Sequence, residues 1–292
     1  MILPLVLRKR VAALLDKLKR WCLDLFHLVF SKGIPVVYFD GRKNVGDMLN
    51  AYIVEKVTGK NIYKAHTNKF KHARVVGSVI GSASSMSYIY GGGSIDGVQP
   101  KGKLDKKKIF ALRGKKTLDL VKNNCGDEDL DVSLGDPALL MPLFYKPPEQ
   151  KKIYSVGIVP HFSDEQSQVL KAIEKDESVT VISVSEPVER FIDKIVQCEF
   201  ILSSSLHGLI LADSYNIPNK RVVLGGAILG GNYKFEDYYS TTDCPDEQGV
   251  EIVEANQLRC LIERAAGVCL VKNFLGCRES LLDAVTKVKR FT

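Results

Sequence analysis

Paired or regularly spaced cysteines are missing from this sequence. Its seven cysteines are scattered through 292 residues, and none forms a CxxC pair or has a histidine cluster beside it. Because disulfide frameworks and structural zinc sites need such spacing, neither is expected. We predict reduced, mostly structural thiols in a cytoplasmic protein that holds no metal.

Long hydrophobic runs and common catalytic signatures are also missing. The longest charge-free stretch, Val75–Ile95, has five glycines and six serines among its 21 residues, which suits strand and loop better than a membrane helix. The chain has no Walker loop, GxSxG elbow, HExxH motif or DxD-type metal pair. The usual hydrolases, kinases and metal-dependent transferases are therefore not supported.

Positive charge is scarce outside the first 33 residues. The formal net charge is +7, and residues 1–33 supply most of it with seven basic and two acidic side chains. Because affinity for nucleic acid is built from many Lys and Arg contacts to phosphate, the nearly neutral remainder argues against a nucleic-acid partner.

An amphipathic helix is predicted over residues 8–30. Its apolar stripe recurs at three- and four-residue steps and comprises Val11, Leu14, Leu15, Leu18, Trp21 or Cys22, Leu25 and Val29, while charged residues avoid the stripe. Two interpretations stay open. The stripe either packs on the protein's own domain, or lies in an anionic membrane surface with the basic side facing the headgroups.

Strands and helices alternate in two series after residue 33. The first includes predicted strands at Ile34–Phe39, Val75–Ile80 and Ile109–Leu112, and the second opens after Pro147 and Pro148. We predict an α/β protein with an N-terminal helix (1–33) and two Rossmann-like parallel-sheet domains (34–146 and 147–292) facing a cleft. The last helix can pack back on the N-terminal domain.

The segment Phe200–Asn216 predicts an anion site. An apolar strand runs into three serines and then a helix, which places Ser204, Ser205 and free backbone N–H groups at a helix N-terminus. His207 lies in the first turn, where the helix dipole disfavours the imidazolium until a bound phosphate reverses the balance. The alternative is an ordinary serine cap with a structural histidine.

Three further loops follow strands in the same way. Asn44, Gly46 and Asp47 open a helix, and capping alone would also explain them. Arg113 directly follows a strand, where a guanidinium can bind carboxylate or phosphate in a bidentate manner. His161 ends the first strand of the second series and points toward the same cleft.

Eight motifs resemble, in order and spacing, those of the polysaccharide pyruvyltransferase family. They are NVGDMLNAYIVEKVTGK (44–60), GSVIGSAS (77–84), IYGGGSI (89–95), ALRGKKT (111–117), LGDPALLMP (134–142), GIVPHFSD (157–164), SSSLHGLILADSYNIP (203–218) and KFEDYY (234–239). The resemblance implies a fold similar to the B-type glycosyltransferases. It also implies transfer of the enolpyruvyl group of phosphoenolpyruvate onto two hydroxyls of one sugar, with release of phosphate and no nucleotide cofactor.

The family motif Arg-Leu-His is matched by Leu206 and His207, while Ser205 stands where the family has Arg. Lys234, or the donors of Ser204 and Ser205, is expected to compensate. We assign His207 to phosphate binding and proton donation, and His161 to acid–base catalysis on the opposite wall of the cleft. The remaining assignments are Arg113 to the carboxylate or phosphate, Asp47 or Asp136 to the acceptor, and Asn44, Gly46, Gly92, Gly93 and Gly208 to substrate binding.

The expected partners are phosphoenolpyruvate, a sugar acceptor in the form of a lipid-linked oligosaccharide, and the inner face of the cytoplasmic membrane. Two other functions stay open at this point. One is a nucleotide-sugar glycosyltransferase with the same two domains, and the other is a binding protein that kept the fold without the activity.

Overall fold

Two parallel β-sheets form the framework. The computed structural model describes residues 5–149, 151–173, 176–225 and 231–291. The first sheet contains β1 (Ile34–Val36), β2 (Ile62–Lys64), β3 (His72–Arg74), β4 (Ser87–Tyr90), β5 (Ile109–Leu112) and β6 (Ser133–Leu134) in the order β2-β1-β3-β4-β5-β6. The second contains β7 (Tyr154–Val159), β8 (Val179–Val181), β9 (Cys198–Ser203), β10 (Asn219–Val223) and β11 (Val250–Glu251) in the order β11-β10-β9-β7-β8. All ladder pairs of these strands are parallel, which confirms the predicted α/β class.

Helices connect the strands. They are α1 (Leu5–Phe30), α2 (Val45–Thr58), α3 (Lys115–Cys125), α4 (Met141–Phe144), α5 (Gln168–Lys171), α6 (Val188–Val196), α7 (Leu206–Ser214), α8 (Tyr233–Tyr239), α9 (Ala255–Glu263), α10 (Ala265–Val268) and α11 (Arg278–Thr286). Short 3-10 turns lie at Ile80–Ser82, Lys106–Lys108, Pro137–Leu140 and Lys287–Phe291.

The main hydrophobic core is shared by both halves of the chain. Leu49 and Ile53 of α2 belong to one buried cluster with Phe191 of α6 and Leu209 of α7. The first backbone N–H of α2, at Val45, donates to a carbonyl that follows β8. The two sheets therefore face each other across packed helices, while the boundary at residue 147 and the likeness to B-type glycosyltransferases stay predictions.

The strand predicted at Val75–Ile80 is wrong. The strand is β3, which ends at Arg74, and bends and a 3-10 turn follow it. The side chain of Asn50 in α2 accepts from the N–H of Val76 at 3.0 Å and donates to the Val76 carbonyl at 3.2 Å. Gly77 then takes a left-handed backbone with φ +100°. Because the ladder positions of Val76 are occupied by a side chain, this segment turns away as a loop.

Helix α1 is attached by its polar side. The buried carboxylate of Asp24 accepts from the backbone N–H groups of His66 and Thr67, both at 2.8 Å, and from the Thr67 hydroxyl at 2.6 Å. The apolar stripe faces away from the domain, as the 67% exposure of Leu14 and 54% exposure of Leu18 show. The structure therefore does not support the interpretation in which this stripe packs on its own domain. No helix in the described part of the chain is long and apolar enough to cross a membrane.

Helix α11 returns to the first half of the molecule. It contacts β5 and β6, and Leu281 and Val285 are buried in the shared core. Its first residue, Arg278, donates to the carbonyl of Leu139 at 2.9 Å. The last long helix thus completes the packing around the N-terminal sheet.

Candidate functional site

A cleft of about 280 Å³ opens where the carboxyl ends of strands from both sheets meet. This is the place at which open α/β sheets bind their ligands. Its walls come from the start of α2, from the loops after β3, β4 and β7, from the β9–α7 junction and from α8. The lining residues are Phe39, Asn44, Gly46, Asp47, Gly77, Ser78, Val79, Ile95, His161, Phe162, Ser205, Leu206, His207 and Lys234.

The β9–α7 junction gives one wall its helix N-terminus. Ser205 is the N-cap of α7 with an extended backbone (φ −97°, ψ 129°), and its hydroxyl caps no N–H of the helix. That hydroxyl lines the cleft and is available to a ligand, together with the first N–H groups of α7. The neighbouring Ser204 is buried, donates to Asp164 at 2.7 Å and accepts from the N–H of His161 at 2.8 Å. Ser204 therefore connects the loop after β7 to the β9–α7 junction and does not line the cleft.

His207 lies on the cleft wall with its side chain 12% exposed. Its ring packs directly on Gly46, where a Cβ atom would come within 2.7 Å of the ring's Cγ. Burial, together with the charges of Arg113 and Lys234, lowers the pKa of His207 to about 3. The imidazole is thus neutral at pH 7, and its buried Nε2 has no hydrogen-bond partner among the residues that the structure describes.

Lys234 on α8 brings the positive charge of the cleft. It is 8% exposed and lines the cleft, and its pKa falls to about 8 through burial and the charges of Arg113 and Arg221. On the opposite loop, burial and the charge of Lys234 lower the pKa of His161 to about 4. Such mutual repulsion among cationic groups favours an anionic ligand, because an anion would relieve it.

The start of α2 supplies a carboxylate. Asn44 caps the helix by accepting from the N–H of Gly46 at 3.0 Å, and Asp47 accepts from the N–H of Phe39 at 3.1 Å. Burial raises the pKa of Asp47 to about 6. At pH 7 this group is mostly ionised and can accept a proton from a hydroxyl.

Arg113 lies behind the cleft wall. The guanidinium is fully buried, pairs with Asp237 at 2.9 Å, and donates to the hydroxyl of Ser78 at 3.0 Å and to the carbonyl of Ser94. Of these groups, Ser78 lines the cleft. Arg113 therefore reaches a ligand through Ser78 and through its charge, and direct contact with the ligand stays a prediction.

Several other predicted residues also support the wall from behind. A Cβ at Gly93 would overlap the Arg113 guanidinium, one at Gly92 would come within 2.7 Å of a Val79 methyl, and one at Gly208 within 2.5 Å of the Ser203 hydroxyl. These glycines permit close packing of the wall, and none of them lines the cleft. Asp136 is fully buried beneath His207, so its carboxylate does not face the space where an acceptor sugar would lie.

Sequence reasoning missed some residues that build the site. Ser78, Asp164 and Asp237 lie within the quoted motifs GSVIGSAS, GIVPHFSD and KFEDYY, but none was singled out. Their motif positions were the available signal. What singles out Asp237 is its set of partners, since it also accepts from the N–H and hydroxyl of Thr117 at 2.8 Å and 2.7 Å.

Comparison with known proteins agrees with the motifs. Residues 88–219 match the family model described as polysaccharide pyruvyl transferase. The chain is 31% identical over 216 residues to the uncharacterized protein L143 of Acanthamoeba polyphaga mimivirus, a match covering 72% of this chain and 74% of that protein. It is 26% identical over 226 residues to the succinoglycan biosynthesis protein ExoV of Rhizobium meliloti (strain 1021), covering 77% of this chain and 60% of ExoV. This chain belongs to the polysaccharide pyruvyl transferase family.

Proposed function

We propose that this protein transfers the enolpyruvyl group of phosphoenolpyruvate onto two hydroxyls of one sugar in a cell-surface polysaccharide or its lipid-linked precursor. The products are a cyclic pyruvate ketal and inorganic phosphate. The observation that carries the proposal is the cleft itself, in which Lys234, His161 and His207 surround the free N-terminus of α7. Unpaired donors and buried positive charge together favour a small, multiply charged anion.

The chemistry needs an acid for the methylene carbon, a base for the sugar hydroxyls and positive charge for the phosphate, and residues of the cleft are candidates for each. An acid protonates the methylene carbon of the enol phosphate and leaves a cation at C2, which the first sugar hydroxyl captures. Loss of phosphate and attack by the second hydroxyl then close the ketal. One hydroxyl proton is thereby balanced by the new methyl C–H bond, and the other leaves with the phosphate. His207 and His161 are the candidate acids, and Asp47 is the candidate base for a hydroxyl.

The groups proposed to bind phosphate do not include the arginine of the family motif. Ser205 stands at the family's arginine position, and Lys234 lines the same cleft. We assign Lys234, with the hydroxyl of Ser205 and the N–H groups of α7, to the phosphate. Arg113 adds positive charge from behind Ser78.

The size of the cleft favours phosphoenolpyruvate over a nucleotide sugar. A volume of about 280 Å³ lies below the range of roughly 300–1,000 Å³ typical of sites for drug-sized ligands. A small three-carbon phosphate fits this volume better than a nucleotide diphosphate sugar, which is several times larger. The cleft volume therefore favours a pyruvyltransferase over a nucleotide-sugar glycosyltransferase, and ligand binding can distinguish the two.

Thermal shift with each ligand and phosphate release together test the proposal. At about 100 times its dissociation constant, phosphoenolpyruvate should stabilise the protein by about 2.7 kcal/mol and raise Tm by several degrees. Uridine and guanosine diphosphate sugars should shift Tm much less. With a lipid-linked acceptor pool, the wild type should release phosphate, and His207→Gln should release it far more slowly. A shift by a nucleotide sugar alone would support the glycosyltransferase, and ligand binding without turnover would support the binding protein.

Helix α1 supplies the proposed means of reaching a lipid-linked acceptor. Its outward stripe includes Leu14, Leu18 and Trp21, which also line a groove of about 600 Å³ beside Lys17 and Lys69. Apolar side chains flanked by lysines match the acyl and headgroup layers of an anionic leaflet. We place the protein on the inner face of the cytoplasmic membrane through this helix.

Vesicle flotation at low salt tests the membrane contact. The wild type should float with phosphatidylserine- or phosphatidylglycerol-containing vesicles, and the pair Leu14→Glu and Leu18→Glu should remain in solution. Val253, which is 70% exposed at a distance from α1 in the sequence, provides a matched control as Val253→Glu. Equal flotation of all three proteins would contradict the anchor.

A further inference from the structure

Two buried polar atoms that have no hydrogen-bond partner in the described part of the chain face each other beneath the cleft. They are Nε2 of His207 and Oδ2 of Asp136, which lie 3.8 Å apart. A buried polar atom left without a hydrogen bond costs free energy, so such atoms need a physical explanation. A modest closure of the gap would satisfy both atoms in a single hydrogen bond.

The local fold holds Asp136 in place independently of His207. Asp136 caps the 3-10 turn Pro137–Leu140, with Oδ1 accepting from the N–H of Ala138 at 3.0 Å. Just before it, Gly135 takes a backbone with φ +142°. The first carboxylate oxygen is thus used by the backbone, which leaves Oδ2 aimed at the imidazole.

The two nitrogens of His207 have different surroundings. Nε2 is buried toward Asp136, whereas the Nδ1 edge packs on Gly46, a residue of the cleft wall. When one ring N–H donates a hydrogen bond to a carboxylate, the other nitrogen is left to act on the ligand. Here that nitrogen is Nδ1.

Burial and the charges around the pair explain why His207 is neutral in the empty site. Burial, Arg113 and Lys234 lower the pKa of His207 to about 3. Burial raises the pKa of Asp136 to about 6, Arg113 opposes that rise, and Asp237 adds to it. At pH 7 the imidazole is neutral and Asp136 is mostly ionised. A bound phosphate offsets the charges of Arg113 and Lys234, which raises the pKa of His207 and shifts the balance toward the imidazolium.

We propose that Asp136 is a positioning residue that acts through His207. Its carboxylate accepts Nε2–H, fixes the tautomer in which Nδ1 faces the substrate, and stabilises the imidazolium that forms when phosphate binds. The proton leaves Nδ1 as a C–H bond forms at the methylene carbon. Neutral His207 then takes up the proton that a sugar hydroxyl releases, and Asp136 stays ionised throughout. The catalytic part of this inference rests on the proposed function.

Asp136→Asn removes the negative charge of the carboxylate and keeps the hydrogen bond that caps the 3-10 turn. The asparagine keeps a carbonyl oxygen for the N–H of Ala138, so the thermal midpoint should change little. Its amide can donate to Nε2, which would place the ring proton on Nδ1, the wrong tautomer for this role. We expect kcat to fall by up to about 10⁴-fold, with a much smaller change in KM for phosphoenolpyruvate.

A double-mutant cycle shows whether Asp136 works through His207. If it does, adding Asp136→Asn to His207→Gln should cause no further loss of kcat, because the group that it serves is already gone. A structural role would instead multiply the two losses. Multiplicative losses would overturn the proposal.

A nitrogen NMR measurement tests the pair without any substrate. The chain has five histidines, so the ring of His207 can be assigned in ¹⁵N-histidine-labelled protein by comparison with His207→Gln. Wild type should carry its proton on Nε2, and Asp136→Asn should move it to Nδ1. Asp213, a buried carboxylate on the same helix bound by Asn219 and Tyr238, is the control, since Asp213→Asn should leave the tautomer unchanged.

The outcomes distinguish the two proposals. An Nδ1–H tautomer in the wild type, or the same tautomer in wild type and Asp136→Asn, overturns the inference whatever the enzyme's substrate. The expected tautomer change in a protein that does not turn over phosphoenolpyruvate would support the pairing and refute the proposed reaction.

Discussion

Gly46→Ala tests whether activity depends on the direct contact between α2 and the imidazole of His207. A Cβ at this position would lie 2.7 Å from Cγ and 2.5 Å from Cε1 of His207, whereas ordinary contacts begin at 3.4 Å. The ring or the helix must therefore move by about 1 Å. A displacement of this size in a catalytic group can cost about 100-fold in rate. Overpacking of the site should cost a further ~1–3 kcal/mol of stability.

The assay compares kcat/KM for phosphoenolpyruvate with the thermal midpoint of the same preparations. Gly46→Ala should lose about 100-fold in kcat/KM while it still unfolds in one cooperative transition. Gly267→Ala is the matched control, because no heavy atom of the described residues lies within 4 Å of a Cβ built there, and its kcat/KM should equal that of the wild type. If folded Gly46→Ala keeps activity within threefold, His207 is not the group on which the reaction depends.

Three further predictions concern Lys234, Asp24 and Asp237. The pKa of Lys234 is lowered to about 8, so kcat/KM for phosphoenolpyruvate should fall as pH rises through 8 and the free protein loses this charge. A pH profile of Lys234→Arg should lack that fall, and an identical profile in both proteins would refute the assignment. Asp24→Ala removes three of the hydrogen bonds that attach α1, so limited proteolysis within α1 should accelerate while kcat on a soluble acceptor stays the same. Asp237→Asn leaves the buried Arg113 without its counter-charge and should cost about 3–5 kcal/mol in denaturant unfolding, and a loss below 1 kcal/mol would show that the pair contributes little.

Hydrophobic runs between helical patterns located some of the strands and missed or misplaced others. The strand predicted at Ile109–Leu112 has the same bounds in β5. The error at Val75–Ile80 has a cause that no local pattern reveals, because Asn50 is distant in sequence and occupies the backbone of Val76. The short strands β2, β6 and β11 were not predicted, because two or three residues are too few to show the alternation of apolar and polar side chains that is typical of a strand.

The cleft was predictable at the level of its loops, and less so at the level of individual side chains. Loops that follow parallel strands meet at one edge, so the proximity of Asp47, His161 and His207 followed from their positions in the sequence. The sequence could not show that Arg113 lies behind Ser78, or that Asp136 lies beneath His207. Those placements depend on side-chain packing between elements that are distant along the chain.

The return of α11 to the N-terminal sheet has a consequence for how the protein is made. Leu281 and Val285 of α11 bury themselves beside residues of α2 and β5, yet a ribosome finishes β6 well before it reaches residue 278. At about 5–20 residues per second, the growing chain exposes this unfinished apolar surface for roughly 7–30 s. Chaperones that bind nascent chains can act during this interval. A nascent chain on a ribosome that has stalled before it translates α11 should have a first half that is sensitive to protease.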